Sequence, residues 1–307
     1  MPDRDAAVAM VQRALGFGEP KPRWSHGGPG SGFVVTFTRP HPLLRQSPTL
    51  VELIEAESLD PARELGDVVP NVAGLAALQR DRPLKSHGLP IASSTVDELI
   101  DRVQRLGLRH WVQPSREGFP FKRLWMGIAA DDLSGYDATV DGGLMIEVVD
   151  TATIGLPADA FTAPLAQVDD QFAGGMLRTA ARCFLVADLA ASLDAVARAF
   201  AWEPEAGPES GDDGSRRAIL GFRLAESARV ELLQPASTSE AGNFLSRHGP
   251  GIWSVRIAVR ALDAKADDLR ARGTPFRIEP TGIAQPEEVL IVEPFATPAC
   301  RFEFATS

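Results

Sequence analysis

Four short apolar segments of the sequence each carry one central glutamate, and these glutamates are the side chains best placed to do chemistry. The residues are Glu52, Glu147, Glu231 and Glu303. Side chains alternate between the two faces of a β-strand, so a glutamate between apolar neighbours points away from the core that they enter. Carboxylates in such positions can act as general bases or can supply oxygen ligands to a metal ion.

A second group with chemical potential lies in the strand-like segment 253–259, where Ser254 and Arg256 share one face by the same alternation. A guanidinium beside carboxylates can neutralise them or receive an anionic ligand. The alternative is an arginine at the rim of a site, paired with a nearby glutamate, because buried arginine is uncommon unless it is paired.

One unit, a helix followed by short strands that end in a glutamate-bearing strand, recurs four times and positions these side chains. Apolar residues at helical spacing predict helices at 6–15, 96–106, 189–200 and 262–272. Strands are predicted at 32–37, 50–55, 86–92, 108–113, 121–128, 144–149, 181–186, 218–224, 230–233, 253–259, 289–292 and 301–304. Residues 151–175 are rich in Ala, Pro, Asp and Gly, which indicates a linker between a first domain, 1–150, and a second domain, 176–307.

The join between the third and fourth units carries a resemblance to a known family. The chain there reads Glu231-Leu-Leu-Gln-Pro, then Gly249-Pro-Gly-Ile, then the strand from Trp253. This pattern resembles the vicinal-oxygen-chelate superfamily of glyoxalase, bleomycin-resistance and extradiol dioxygenase proteins, and is nearest to methylmalonyl-CoA epimerase and glyoxalase I. The resemblance implies an α+β fold in which four βαβββ modules form two half-barrel domains, each with its site on the concave face. The segment 2–7 looks like the turn that follows a module's first strand, so the first module is expected to lack that strand.

The resemblance places metal-binding histidines on the first strands of two paired modules and carboxylates on their last strands. In the second domain these positions fall on Ala181 and Ser254, and on Glu231 and Glu303. Two oxygen ligands alone rarely hold a catalytic transition metal, so no catalytic metal is expected there. Arg256, Glu231 and Glu303 are instead the predicted catalytic residues, with one glutamate held by the arginine and the other free to act as a base.

The residues predicted to contact a substrate in the second domain are Trp253, Ser254, Ala181 and Cys183. Cys183 is read as a small packing residue and not as a nucleophile, because no histidine is recognisable beside it.

In the first domain the matching positions are His87, with a register uncertain by one residue, Glu52 and Glu147. These could hold a divalent metal, Fe, Mn or Zn, only if a second histidine joins them; otherwise no cofactor is expected. Further histidines in this half are His26, His41 and His110. A lone histidine is more often a hydrogen-bonded structural residue than a metal ligand.

Composition narrows the class of protein and of partner. The chain of 307 residues has a net charge of −10 without a basic stripe, which argues against nucleic acid. No apolar run approaches a membrane span, and two cysteines fit a reducing cytoplasm. The expected partner is a small-molecule ligand, and a partner subunit could cover the open sheet edge of the first module to form a homodimer.

These observations favour a lyase- or isomerase-type enzyme acting on a small oxygen-bearing organic molecule. Two alternatives stay open. One is a non-catalytic protein of the same fold that sequesters a small molecule, and the other is a ring-cleaving, metal-dependent dioxygenase.

Overall fold

The computed structural model describes eleven stretches of the chain: residues 4–20, 25–27, 33–42, 51–56, 88–115, 121–129, 136–154, 172–224, 227–281, 288–292 and 301–306. Every helix within these stretches is too short or too polar to span a lipid bilayer.

In the N-terminal half, the strands among the described residues form two sheets. The first has the order β1-β2-β3, with β1 Ser25–Gly27, β2 Phe33–Thr38 and β3 Val51–Ala56. The second has the order β4-β7-β6-β5, with β4 Leu89–Ser93, β5 His110–Gln113, β6 Arg123–Met126 and β7 Ile146–Asp150.

One eight-stranded sheet forms the C-terminal half, in the order β13-β14-β15-β12-β8-β11-β10-β9. Its strands are β8 Met176–Leu185, β9 Ala206–Ser210, β10 Arg216–Leu220, β11 Arg229–Gln234, β12 Gly251–Val259, β13 Arg277–Pro280, β14 Glu288–Val292 and β15 Arg301–Thr306. The antiparallel pair β8 and β12 joins the third and fourth units at the centre.

The last three units share one plan. The first strand of each pairs in parallel with the last, as in β4 with β7, β8 with β11 and β12 with β15. The last strand then pairs antiparallel with the third. In the first unit, β1, β2 and β3 correspond to the second, third and last strands, and within the described ranges β3 pairs with β2 alone. The predicted α+β class with repeated βαβββ units is therefore confirmed.

The described residues form five α-helices: α1 Arg4–Met10, α2 Val96–Arg105, α3 Leu189–Phe200, α4 Glu240–His248 and α5 Leu262–Ala271. A π-helical turn, Val11–Leu15, continues α1 and ends at Gly16, whose φ of 76° suits glycine. Helix α3 begins where the Asp188 side chain accepts a hydrogen bond from the Ala191 amide. Short 3-10 turns lie at Thr151–Ile154 and Phe172–Gly174.

The helices of the two halves pack together in pairs. One core joins α2 and the β4–β7 sheet to α3, β10 and β11, with Ile100 and Val196 among its residues. Another joins α1 to α5, β12, β14 and β15, with Val11 and Leu269 among its residues. The apolar neighbours of all four glutamates enter these cores, so the glutamates lie on the opposite faces of their sheets.

Four elements were not predicted from the sequence, among them strand β1, which lies in a glycine-rich segment. Strand β9 is exposed throughout and so lacks the apolar alternation of a half-buried strand. Strand β13 is short and lies at the sheet edge. Helix α4 was not predicted, although the Ser239 hydroxyl caps it by accepting a hydrogen bond from the Gly242 amide. Most of the expected linker, residues 155–171, lies outside the described residues, and the domain bounds stay a prediction.

Candidate functional site

The four glutamates occupy equivalent positions in their units. Each lies opposite a large apolar residue of the third strand: Glu52 faces Phe37, Glu147 faces Trp125, Glu231 faces Ile219 and Glu303 faces Ile291. On the other side, Glu147, Glu231 and Glu303 lie opposite Pro90, Cys183 and Arg256 of the first strands. Counting back two residues, the register makes Ala181 and Ser254 equivalent, as expected.

In the C-terminal sheet, Arg256 binds both glutamates. Its Nη1 donates to Glu231 Oε2 at 2.9 Å, and its Nε and Nη2 donate to Glu303 Oε2 at 3.0 and 2.8 Å. The arginine side chain is 13% exposed, and those of Glu231 and Glu303 are 7% and 4% exposed. Arg256 therefore lies on the glutamate-bearing face, inside the protein.

A second arginine holds each of these glutamates from its other oxygen. Arg217 Nη1 donates to Glu231 Oε1 at 3.1 Å. Arg301 Nε donates to Glu303 Oε1 at 3.1 Å, and Arg301 Nη2 lies 3.0 Å from the same oxygen. We call these five residues the C-terminal ion cluster. It contains three guanidinium groups and two carboxylates, so it carries a net positive charge.

The charges of the cluster stabilise each other. Burial alone would raise the pKa of Glu303, but Arg256 and Arg301 outweigh it and hold that pKa below its ordinary value. Burial likewise opposes the charge on Arg256, and the two glutamates raise the pKa of Arg256 above its ordinary value. The expectation that one of the two glutamates is free is wrong, because both carboxylates are held by arginine.

The predicted substrate-contacting residues of this sheet are buried. Register between β12 and β8 shifts by one residue at Trp253, and this bulge turns both Trp253 and Ser254 toward the ion cluster. Ser254 Oγ lies beside Glu303, whose pKa it helps to lower, yet makes no hydrogen bond of normal geometry in the described chain. Ala181 is buried as well.

Helix α4 covers this region. Phe244 of α4 packs edge to face on Trp253 with ring centroids 5.0 Å apart, and Arg301 lies over the same indole at 4.7 Å. Cys183 packs in the same apolar cluster, and burial, followed by the charges of Glu231 and Glu303, raises its thiol pKa well above the ordinary value. A protonated thiol is a poor nucleophile, in agreement with its reading as a packing residue.

A metal ion does not fit the C-terminal sheet. The first-strand positions Ala181 and Ser254 offer no imidazole, and every carboxylate oxygen of Glu231 and Glu303 is engaged by a guanidinium. The Arg256 guanidinium provides the positive charge between the two carboxylates. Across the described ranges, no group of three or more His, Cys, Asp or Glu side chains could hold a metal ion.

The N-terminal half repeats part of this arrangement. Arg123 Nη1 lies 2.9 Å from Glu147 Oε1, and both residues face away from the core on neighbouring strands. Arg123 and Arg217 occupy equivalent places, two residues before Trp125 and Ile219. The same arginine–glutamate pair is thus built into the second and third units, a pattern that the sequence analysis missed.

Glu52 differs from the other three glutamates. Its neighbours Val51 and Leu53 enter the second core, so its side chain faces the opposite way. Burial raises its pKa to about 7, and the charge of Arg123 lowers it only in part. Glu52 makes no hydrogen bond or ion pair with any residue in the portion of chain described here. Glu52, Glu147, Arg123 and Trp125 are called the N-terminal site below.

The histidines do not complete a metal site in the described part of this half. The register places Gly88 at the position equivalent to Ala181 and Ser254, while His87 lies outside the described residues. His110 is bound to the Leu108 carbonyl at 2.7 Å, and His41 packs edge to face on Phe172. The side chain of His26 lies outside the described residues.

Comparison with known proteins supports the fold of the chain, while the similar structures share little of its sequence. No protein-family model matches the chain, and no curated protein does so either. A mutant of 4-hydroxymandelate synthase from Streptomyces coelicolor aligns with 100% of this chain and 89% of its own, at 15% identity and a TM-score of 0.58. Methylmalonyl-CoA epimerases from Streptomyces coelicolor and Mycobacterium tuberculosis align with 43% of this chain and 96% and 87% of their own, at 19% and 24% identity and TM-scores of 0.38 and 0.36.

Proposed function

For a chain with the vicinal-oxygen-chelate fold, we propose a proton-transfer reaction of the lyase or isomerase type on a small oxygen-bearing organic molecule, carried out in the N-terminal site with Glu52 as the base. The observation that carries this proposal is the contrast among the glutamates. Glu147, Glu231 and Glu303 are each held by arginine, whereas Glu52 has a pKa of about 7 and no polar partner among the described residues.

A carboxylate with this pKa suits general base catalysis at neutral pH. About half of it is ionised at pH 7, and its basicity is higher than that of an ordinary glutamate. Glu52 would take a proton from a carbon next to a carbonyl group, leaving the bonding electrons in an enolate. Return of the proton to another face or carbon gives an isomer, and loss of a β-substituent with its electron pair gives a lyase product.

Arg123 supports this chemistry electrostatically. Its guanidinium is held by Glu147 and is close enough to Glu52 for its charge to lower the pKa of that carboxyl. A fixed positive charge near the reacting centre favours the enolate over the neutral substrate.

The C-terminal ion cluster takes a structural role in this proposal. The initial assignment of Glu231, Glu303 and Arg256 as catalytic residues required a carboxylate free to accept a proton. Each carboxylate instead accepts hydrogen bonds from two arginines. The cluster therefore stabilises the fold of the C-terminal sheet beneath helix α4.

Deuterium exchange tests the proposal without a known substrate. Wild-type protein is incubated in D2O with hydroxyacetone, dihydroxyacetone, acetophenone and 2-methylacetoacetate, and loss of the α-proton signal is followed by NMR. We expect exchange with at least one compound, abolished in Glu52→Gln. The matched control Glu98→Gln removes an exposed carboxylate on α2 and should exchange as wild type does. Equal exchange in wild type and Glu52→Gln would refute the role of Glu52.

A non-catalytic binding protein is the second candidate. This alternative is favoured because Arg123 holds Glu147. Glu52 is then the one carboxylate of the N-terminal site that is left to exchange a proton with a ligand. A compound that binds wild type and Glu52→Gln equally, with no α-proton exchange in either, would establish this alternative.

A further inference from the structure

The indole of Trp125 is a hydrogen-bond donor without an acceptor. Trp125 is 2% exposed, and its Nε1 is buried with no hydrogen-bond partner in the described chain. Trp202 provides the internal comparison, because its Nε1 donates to the Gly221 carbonyl at 2.8 Å. A buried N–H without an acceptor is costly, so buried indoles normally find a partner.

The position of Trp125 connects this donor to the N-terminal site. Leu124 and Met126 enter the first core, and Trp125 therefore faces the opposite way. On that face it lies directly across from Glu147 on β7 and from Trp111 on β5, and two residues from Arg123 on its own strand. The unpartnered N–H, the arginine–glutamate pair and two indoles thus share one surface.

We infer that Trp125 binds the small molecule acted on in the N-terminal site, donating its indole N–H to a carbonyl oxygen of that molecule. This inference rests on the proposed function and adds the chemical class of the ligand. The two indoles favour an apolar, planar body beside that oxygen, since aromatic rings pack well against such groups.

Charge selects a neutral ligand over an anionic one. The positive charge of Arg123 is matched by Glu147, and Glu52 adds a negative charge as it ionises. A carboxylate entering the site at pH 8 would meet a net negative charge, whereas a ketone of the same shape would meet no repulsion. The ligand class is therefore a neutral aryl or conjugated carbonyl compound.

Indole NMR spectra test the contact directly. Protein labelled with 15N-tryptophan carries five indole N–H groups. That of Trp125 is identified by Trp125→Phe or, if this variant does not fold, by its NOEs to the Leu124 and Met126 amides. Acetophenone, cyclohexenone and benzoate are titrated at pH 8. We expect a neutral carbonyl probe to move the Trp125 signal and not that of Trp202, and benzoate to bind about tenfold more weakly than acetophenone.

Variants give the second measurement. Trp125→Phe keeps an aromatic ring and removes the N–H, so it should weaken acetophenone binding by about three- to tenfold. The matched control Trp202→Phe should bind acetophenone as wild type does. Unchanged affinity in Trp125→Phe, or no movement of the Trp125 signal with either neutral probe, overturns the inference. Glu52-dependent deuterium exchange is read separately, so exchange without a Trp125 contact would leave the proposed function standing.

Discussion

Replacement of Arg256 by methionine is expected to destabilise the protein strongly, because it removes the shared partner of two buried carboxylates. Methionine has a similar length and no charge, so the packing volume is largely kept. The three hydrogen bonds from Arg256 to Glu231 and Glu303 are lost.

The magnitude follows from what remains after the substitution. Breaking a buried ion pair by removing one partner costs about 3–5 kcal/mol. Arg217 still binds one oxygen of Glu231, and Arg301 still binds one oxygen of Glu303. We therefore expect a loss of stability at the lower end of this range, about 3 kcal/mol at pH 7. The matched control is Arg229→Met, which breaks the exposed pair with Glu205, whose side chains are 55% and 47% exposed, and should cost less than about 1 kcal/mol.

The deficit should also depend on pH. In wild type the pKa of Glu303 is lowered, so its contribution to stability is present at neutral pH and is lost as pH falls. In Arg256→Met, Arg301 and Ser254 are left to oppose the effect of burial and the pKa of Glu303 rises, so the variant regains relative stability as pH falls. Urea unfolding at pH 7 and pH 5 measures both effects. A pH-independent loss no larger than that of Arg229→Met would refute this account of the ion cluster.

Three further outcomes are expected from urea unfolding. Lys265 is fully buried with its Nζ 2.7 Å from Asp268, and burial lowers its pKa to about 8; wild-type stability should therefore rise between about pH 8 and 10.5, and Lys265→Met should remove that rise. The raised pKa of Glu52 means that wild-type stability falls as pH rises from 4.5 through about 7, and Glu52→Gln should remove that fall, gaining up to about 3 kcal/mol at pH 8, with an equal slope in both proteins as the contrary result. Gly142 has a φ of 72° and a Cβ there would lie 2.8 Å from the Ser192 Cα, so Gly142→Ala should destabilise, and an unchanged midpoint would contradict the packing of the second unit on α3.

Much of the fold could be predicted because its signals are local. Helix α3 was predicted with its observed bounds, since its apolar spacing lies within the segment itself. The glutamate-bearing strands were predicted from the alternation of apolar and charged residues, and the register confirms that the four glutamates are equivalent.

The site could be predicted only in part, because its contacts depend on strand register. Arg217 contacts Glu231 because strand β10 pairs with strand β11. Arg301 donates a hydrogen bond to Glu303 because the two residues lie two positions apart on one strand. Without those partners, one glutamate looked free. The unpartnered indole of Trp125 had no signal in the sequence, since a missing hydrogen bond is a property of the folded surroundings.

The proposed function depends on the different ionisation of Glu52 and Glu303, which a carboxyl NMR titration measures. Protein with 13C-labelled glutamate side chains is titrated from pH 3 to pH 9, and the two signals are identified by Glu52→Gln and Glu303→Gln. We expect a midpoint of about 7 for Glu52 and a midpoint below the ordinary value of 4.5 for Glu303. A Glu52 midpoint near 4.5, or a Glu303 midpoint above that of Glu52, would contradict this expectation.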